Sequence, residues 1–300
     1  MINSNTNCTL CPRECYANRV EGKSGFCGVS GEEIYLARAA LHMWEEPCIS
    51  GEAGSGTVFF SGCPLRCVYC QNYNIANAKT GKAVTRRRLS EIFLELQEKG
   101  ANNINLVTPT HYTPEIVWAV REARRQGLQL PIVYNCSGYE KIETLKMLEG
   151  IVDIYLTDFK YMDAEAAKRY SHAADYPELA REALKEMVRQ TEAAEFTEDG
   201  IMKKGVIVRH LLLPGHLNNA KAVVKYVYDT YGDQVFLSLM NQYTPLPQVE
   251  EYPEINRRVT EEEYDELVDY AYDLGIRNAF IQEGDASDTC FIPKFDKRGV

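Results

Sequence analysis

The stretch TVFFSGCPLRCVYCQNYNIAN, residues 57–77, decides how the rest of the chain is read. It opens as a run of β-formers and then sets Cys63, Cys67 and Cys70 within eight residues, spaced C-x3-C-x2-C. A closed zinc site takes four protein ligands, and a [4Fe–4S] cluster normally takes four thiolates. Three thiols in one loop therefore leave a coordination position for something else. Gly62 permits the turn out of the strand, and Pro64 stiffens the loop that must aim the sulfurs inward.

Outward from this loop, β-like runs alternate with helix-like runs. NINLVTP (103–109), PIVYNCS (131–137), VDIYLTDFK (152–160), GVIVRHLLLPG (205–215), QVFLSLMNQY (234–243) and RNAFIQEG (277–284) read as strands. LSEIFLELQEKG (89–100), TPEIVWAVREARRQG (113–127), with Thr113 as N-cap, EKIETLKMLEG (140–150) and residues 218–232 read as helices. A charged helical pattern covers roughly 163–196, and Thr260 with Glu263 spells a capping box. Strand-then-helix repetition implies α/β architecture with a parallel sheet and right-handed crossovers. No G-x-G-x-x-G follows the first strand, which counts against a dinucleotide fold. Polar residues collect instead at the C-terminal ends of many strands, as in a full or partial barrel.

The composition is that of a globular protein, 45% hydrophobic and 25% charged over 300 residues. A net charge of −10 argues against non-specific nucleic-acid binding. No apolar run approaches the ~20 residues that span a bilayer, so no membrane partner is expected and a cytoplasmic location is. In a reducing compartment ten cysteines are not a disulfide framework. Cys48, Cys136 and Cys290 are isolated in sequence.

In a cubane with three cysteine ligands, one iron is free to bind a small molecule. The amino and carboxylate groups of S-adenosylmethionine (SAM) can chelate it, a recognised route to radical chemistry. CPLRCVYC resembles the hallmark motif of the radical SAM superfamily. SGCPLRCVYCQN, TDFK and RHLLLPG together look like its branch of pyruvate formate-lyase activating enzymes and their uncharacterised relatives. The resemblance implies a partial (β/α)6 TIM-like barrel, here over residues 56–300, behind a Cys-rich extension and linker over 1–55 that is read as metal-binding from its own cysteines. It implies a [4Fe–4S] cluster on Cys63, Cys67 and Cys70, with SAM held nearby. Tyr69 would pack near adenine, Asn135 and Ser137 would face the ribose, Asp158 and Lys160 would hold the ribose or carboxylate, and Arg209 and His210 would lie near the carboxylate. Where the family has a Gly-Gly-Glu-Pro segment for the SAM amino group, this chain has VTPTHYTP (107–114). Thr108, Thr110 or backbone carbonyls then replace it.

The expected activity is reductive cleavage of SAM to a 5′-deoxyadenosyl radical that abstracts hydrogen, with a flavodoxin- or ferredoxin-type reductant. Its target is a glycyl radical enzyme, or alternatively a peptide or small metabolite. A non-catalytic zinc or iron–sulfur module that binds a partner is the rival reading. His111 reads as a base, a radical-site polar group or a solvated residue, and Arg86–Arg88 as a solvated helix face.

At the N-terminus, Cys8, Cys11, Cys15 and Cys27 lie within twenty residues that carry Pro, Gly and charge. Such a segment cannot build a hydrophobic core, so a metal must hold it. Zinc and a second [4Fe–4S] cluster both accept four thiolates. Glu45, Glu46 and Cys48 in the linker either face the active site or simply connect.

Overall fold

The computed structural model describes residues 6–31, 33–282 and 293–300. Cys290 and the end of the expected 277–284 strand lie outside them. The strands are β1 (Ile34–His42), β2 (Ser55–Phe60), β3 (Lys82–Val84), β4 (Ile104–Val107), β5 (Ile132–Cys136), β6 (Ile154–Asp158), β7 (Glu195–Phe196), β8 (Met202–Leu211), β9 (Phe236–Met240) and β10 (Ala279–Ile281). They run β10-β9-β8-β6-β5-β4-β2-β1-β3 across one sheet, with β7 paired to β8 at the side. From β2 to β10 every neighbouring pair is parallel. β1 is antiparallel to β2, and β3 to β1.

The sheet curves. If it were flat, the ends of β2 and β9 would stand about 24 Å apart, five spacings of ~4.8 Å. Gln71, after β2, instead donates from Nε2 to the carbonyl of Gln242, after β9, at 2.6 Å. The concave face carries Phe59, Val107, Asn135, Asp158, Arg209, Ser238 and Phe280, which follow from the period-2 alternation and the strand register. The convex face carries Val58, Phe60, Leu106, Tyr134, Tyr155, Val208 and Leu239. These pack on Leu89, Phe93, Ile116, Val120, Val223 and Leu267 of the covering helices. The mixed α/β architecture with a mostly parallel sheet accords with a partial barrel.

The concave side is plugged at its base. The short helix Pro47–Ser50 inserts Cys48 and Ile49 against Val133, Ile154, Leu156, Met202 and Ile207. A boundary at 55/56 therefore cuts through continuous structure, because β1 pairs with β2 and this plug fills the barrel floor. IYLARAALH does not announce β1, since its alanines are poor β-formers and the pairing with β2 decides the matter. The expected 163–196 helix is two helices, Ala164–Ser171 and Tyr176–Thr191. His172 ends the first in a left-handed conformation, and Pro177, tolerated only in a first turn, opens the second. Thr113 is the first residue of its helix, after a 3-10 turn, and is not its cap. The Thr260–Glu263 capping box forms as read.

Candidate active site

The three cysteines of the 63–70 loop sit at the C-terminal mouth of β2. Cys67 is buried, while Cys63 and Cys70 are half-exposed. Their sulfurs lie close enough that each of Cys63 and Cys70 feels Cys67 as a neighbouring charge; burial first, and then these neighbours, pushes the Cys63 thiol up to about 11 and Cys70 higher still. Among the described residues, no three His, Cys, Asp or Glu side chains converge as ligands of one metal ion. A cubane asks for a wider triangle, because each thiolate bonds a different iron. Ser171 donates from Oγ to Cys67 Sγ at 2.9 Å, and Leu65 N to Cys63 Sγ at 3.4 Å. Such hydrogen bonds would stabilise thiolates, so the donor set and its surroundings fit an iron–sulfur cluster.

Facing the loop is a charged network at the strand ends. Arg209 donates from Nε to Asp158 Oδ1 at 3.1 Å, from Nη2 to Asn135 Oδ1 at 2.6 Å and from Nη1 to Glu45 Oε2 at 3.3 Å. Lys160 Nζ donates to Asp158 Oδ2 at 2.6 Å. Burial alone would raise the Asp158 carboxyl, but Lys160 and Arg209 outweigh it and hold it below the usual range. Burial would lower Lys160, but Asp158 and then the Cys67 and Cys70 thiols outweigh it and raise it. Lys160 is thus a cation poised between a carboxylate and the cysteines. Tyr176 fixes these strand ends by donating to Ser137 O at 2.8 Å and receiving from Lys160 N at 2.9 Å.

Asn135, Asp158, Lys160 and Arg209 are brought together with the cysteine loop, and the Ser137 hydroxyl is buried near them without a hydrogen-bond partner among the described residues. Other candidates lie elsewhere. His210 alternates with Arg209 and points to the convex side, where its Nδ1 lies 2.7 Å from Phe159 O. It is a buried core histidine and does not approach the Arg209 cavity. Thr110 is equally buried and donates to Glu140 Oε1 at 2.8 Å. Thr108 stands at the β4 end in a left-handed conformation, φ 57°, and its N–H bonds Asn135 O at 2.9 Å. The Tyr69 hydroxyl takes a hydrogen bond from Tyr161, which also meets Ser171; Tyr69 is thereby tied into the shell behind Cys67. His111 is buried, 2.8 Å from Ser61 O, and burial lowers it to about 3. Cys136 is on the convex side beside Thr157. Arg86 lies over Trp118, and Arg87 and Arg88 pair with Glu91 and Glu95 along their helix.

Of the linker residues, Glu45 and Glu46 face the concave cavity, whereas Cys48 is buried in the apolar plug. Glu45 also receives a hydrogen bond from Asn105 Nδ2 at 3.1 Å. Their place in the linker before the cysteine strand is all the sequence offers for these carboxylates. Ser171 and Tyr176 carry no sequence signal, since they arrive from helices distant along the chain, and Tyr161, in the loop just after Lys160, reaches Tyr69 across ninety-two residues.

The N-terminal cysteines gather next to this site. Cys8, Cys11 and Cys27 are buried and Cys15 is exposed. Backbone bonds Tyr16 N to Cys8 O and Glu14 N to Cys11 O fold the loop on itself. Buried Arg19 donates to Cys27 Sγ at 3.7 Å and to His111 O at 2.8 Å. Gly62, at φ +93°, leaves room for Cys27 and Val29, which a side chain there would strike.

The model of the radical SAM superfamily matches residues 57–215, from β2 through the end of the Arg209 strand. The chain belongs to the radical SAM superfamily. Membership implies a [4Fe–4S] cluster and SAM, and makes the protein a radical SAM enzyme. An uncharacterized protein of Methanocaldococcus jannaschii is 29% identical over 272 residues, covering 88% of this chain and 74% of the relative. Among solved structures, methylornithine synthase superposes with TM-score 0.50 at 15% identity, covering 79% of this chain and 74% of that one. A domain of pyruvate-formate lyase-activating enzyme from Bacteroides vulgatus gives 0.41 at 14% identity, covering 57% and 92%. Streptococcus suis SuiB bound to its precursor peptide gives 0.48 at 14% identity, covering 74% and 46%. The chain thus spans about half the length of SuiB. Among the described residues of this radical SAM enzyme, no helix is long and apolar enough to cross a membrane.

Proposed function

We propose that this radical SAM enzyme holds its cluster on Cys63, Cys67 and Cys70, binds SAM against Asn135, Ser137, Asp158, Lys160 and Arg209, and abstracts hydrogen from a substrate seated in the barrel. The cluster, when bound and reduced by a flavodoxin- or ferredoxin-type donor, supplies the electron that cleaves SAM. The observation that carries this reading is the charged network Arg209–Asp158–Lys160 facing the three-cysteine loop. Alternating charges suit a zwitterionic ligand: Arg209 and Lys160 can meet a carboxylate, and Asp158 a hydroxyl or cation. Tyr176 ties the Ser137 and Lys160 strand ends together and Ser171 meets Cys67, so that little ordering remains to be done on binding.

Resemblance to the activating enzymes points first to a glycyl residue on a partner protein. The cavity favours the second reading, a small metabolite or a peptide side chain. Its walls include Glu45, Glu46 and Arg209, an expensive set of groups to bury against an uncharged glycyl loop. A second cluster or zinc on Cys8, Cys11, Cys15 and Cys27 belongs to the same reading.

The test is anaerobic incubation of reconstituted protein with dithionite and SAM. 5′-Deoxyadenosine should form with the wild type and vanish with Cys67→Ala. Undiminished product from the variant would overturn the assignment.

A further inference from the structure

Next to Arg209 the concave face opens into a cavity of about 250 Å³ lined by Trp44, Glu45, Glu46, Ser238, Met240 and Phe280, among others. Neither cation of this region pairs with Glu46. Lys160 pairs with Asp158, and Arg209 divides itself between Asp158 and Glu45. Glu46 is only 8% exposed, and its Oε2 has no hydrogen-bond partner among the described residues. Its other interactions are with Ser238 and its own backbone, and burial raises its carboxyl despite the more distant Arg209. Asn105 Oδ1, deeper on the same concave face, is a second buried acceptor without a donor among the described residues.

Both unmet atoms are acceptors, so what completes them is a donor. Burial opposes ionisation of Glu45 and Glu46, and a cation seated against them would restore it; Glu45, Glu46 and Asp158 would then face Lys160, Arg209 and that added positive charge. A buried carboxylate oxygen with neither donor nor cation is costly, and an ammonium group supplies both. Trp44, Met240 and Phe280 give the rest of the wall an apolar and aromatic character that suits a short carbon chain and the face of a cation.

We infer that Glu46, with Glu45 beside it, is the seat for an ammonium group on the substrate, so that this enzyme acts on an organic amine. The inference rests on the reading above that the cavity holds the substrate. The amine's N–H groups bond Glu46 Oε2, and its carbon chain lies along Met240 and Phe280. This orientation leads back toward Arg209 and the cysteine loop, where hydrogen would be abstracted.

The test is calorimetric titration of the anaerobic protein with n-butylammonium chloride, against 1-butanol and sodium butyrate at matched ionic strength. Saturable binding is expected for the ammonium alone, and Glu46→Gln should weaken it roughly tenfold or more, the worth of one charge-assisted hydrogen bond. Equal binding of butanol and butylammonium, equal binding by wild type and the variant, or no saturable binding would each overturn the proposal. If Glu46→Gln does not fold, as a thermal melt would reveal, the comparison of ammonium with alcohol on the wild type still decides. The deoxyadenosine assay on the same preparation separates the two readings. Deoxyadenosine without ammonium binding removes the amine seat and leaves the enzyme; no deoxyadenosine removes the enzyme reading itself.

Discussion

Arg13 donates from Nε to the carbonyl of Pro64 at 2.8 Å, fastening the N-terminal cysteine segment to the loop that carries Cys63 and Cys67. The same guanidinium bonds Ser171 O at 2.9 Å and also the carbonyl of His172, and it lies 4.0 Å from the Phe26 ring centroid. Ser171 is the residue whose hydroxyl meets Cys67. One side chain therefore joins both cysteine groups and the shell behind them. Arg13→Ala should cost about 2 kcal/mol of stability, since several charge-assisted hydrogen bonds to carbonyls are lost together. It should also lower iron retention at the 63–70 loop. Chemical unfolding and iron analysis after anaerobic desalting check both. Unchanged iron retention would show that the clamp does not order the loop.

Gly62 makes a second link between the two cysteine groups. Its φ of +93° is unfavourable for any other residue, and an added Cβ would lie 2.8 Å from the Cys27 carbonyl and 2.6 Å from Val29 Cγ2. The carbonyl is backbone and cannot swing aside. Gly62→Ala should therefore destabilise by roughly 3 kcal/mol, combining left-handed strain with the clash. Thermal melts of the two proteins would reveal it, and a shift within error would mean that the N-terminal segment yields freely.

Glu140 gives stability a pH dependence of definite sign. It is buried beneath Thr110 and Tyr134, and burial, only partly offset by their hydrogen bonds, raises its carboxyl to about 8 from an ordinary 4.5. The folded chain keeps a proton that the unfolded chain releases. Its contribution is complete below pH 4.5 and is lost as pH rises through 8, on the order of 5 kcal/mol in all. Glu140→Gln mimics the neutral acid and should flatten this component. Urea unfolding of both proteins at pH 5 and pH 8 isolates it by difference. Parallel slopes for wild type and variant would refute the burial argument.

What could be read from sequence follows from how local each cause is. The strand–helix alternation and the Thr260 capping box rest on near neighbours, and they stand. The three-cysteine loop and the residues Asn135, Asp158, Lys160 and Arg209 could be gathered in advance because parallel strands bring their C-terminal ends to one face. The resemblance groups His210 with Arg209, but a single residue of alternation sends it to the opposite side. Thr110 is a candidate for the SAM amino group by its place after the strand, but its hydroxyl is committed to Glu140, thirty residues on. The plug at Pro47–Ser50 and the shell of Ser171, Tyr161 and Tyr176 depend on contacts between distant segments. No local pattern encodes those. Glu45 and Glu46 owe their position to the plug that follows them, so their role emerges only with the fold.

Lys160 should tune the electron affinity of the cysteine-bound centre. Its ammonium is buried, bonded to Asp158 at 2.6 Å, and close enough to Cys67 and Cys70 for their charges to raise it. A fixed cation beside thiolates favours the more negative, reduced state of a cluster bound there. Lys160→Met removes that charge while keeping most of the stem, and should lower the midpoint potential on the order of 50 mV or more. That is the scale of one unit charge at an effective dielectric near 20. Lys160→Arg, which keeps the charge, should restore most of the loss. EPR-monitored redox titration of the reconstituted proteins measures this without depending on turnover. A Lys160→Met potential equal to that of the wild type would mean that Asp158 neutralises the ammonium before its field reaches the sulfurs, leaving Lys160 to position Asp158 and Arg209 alone.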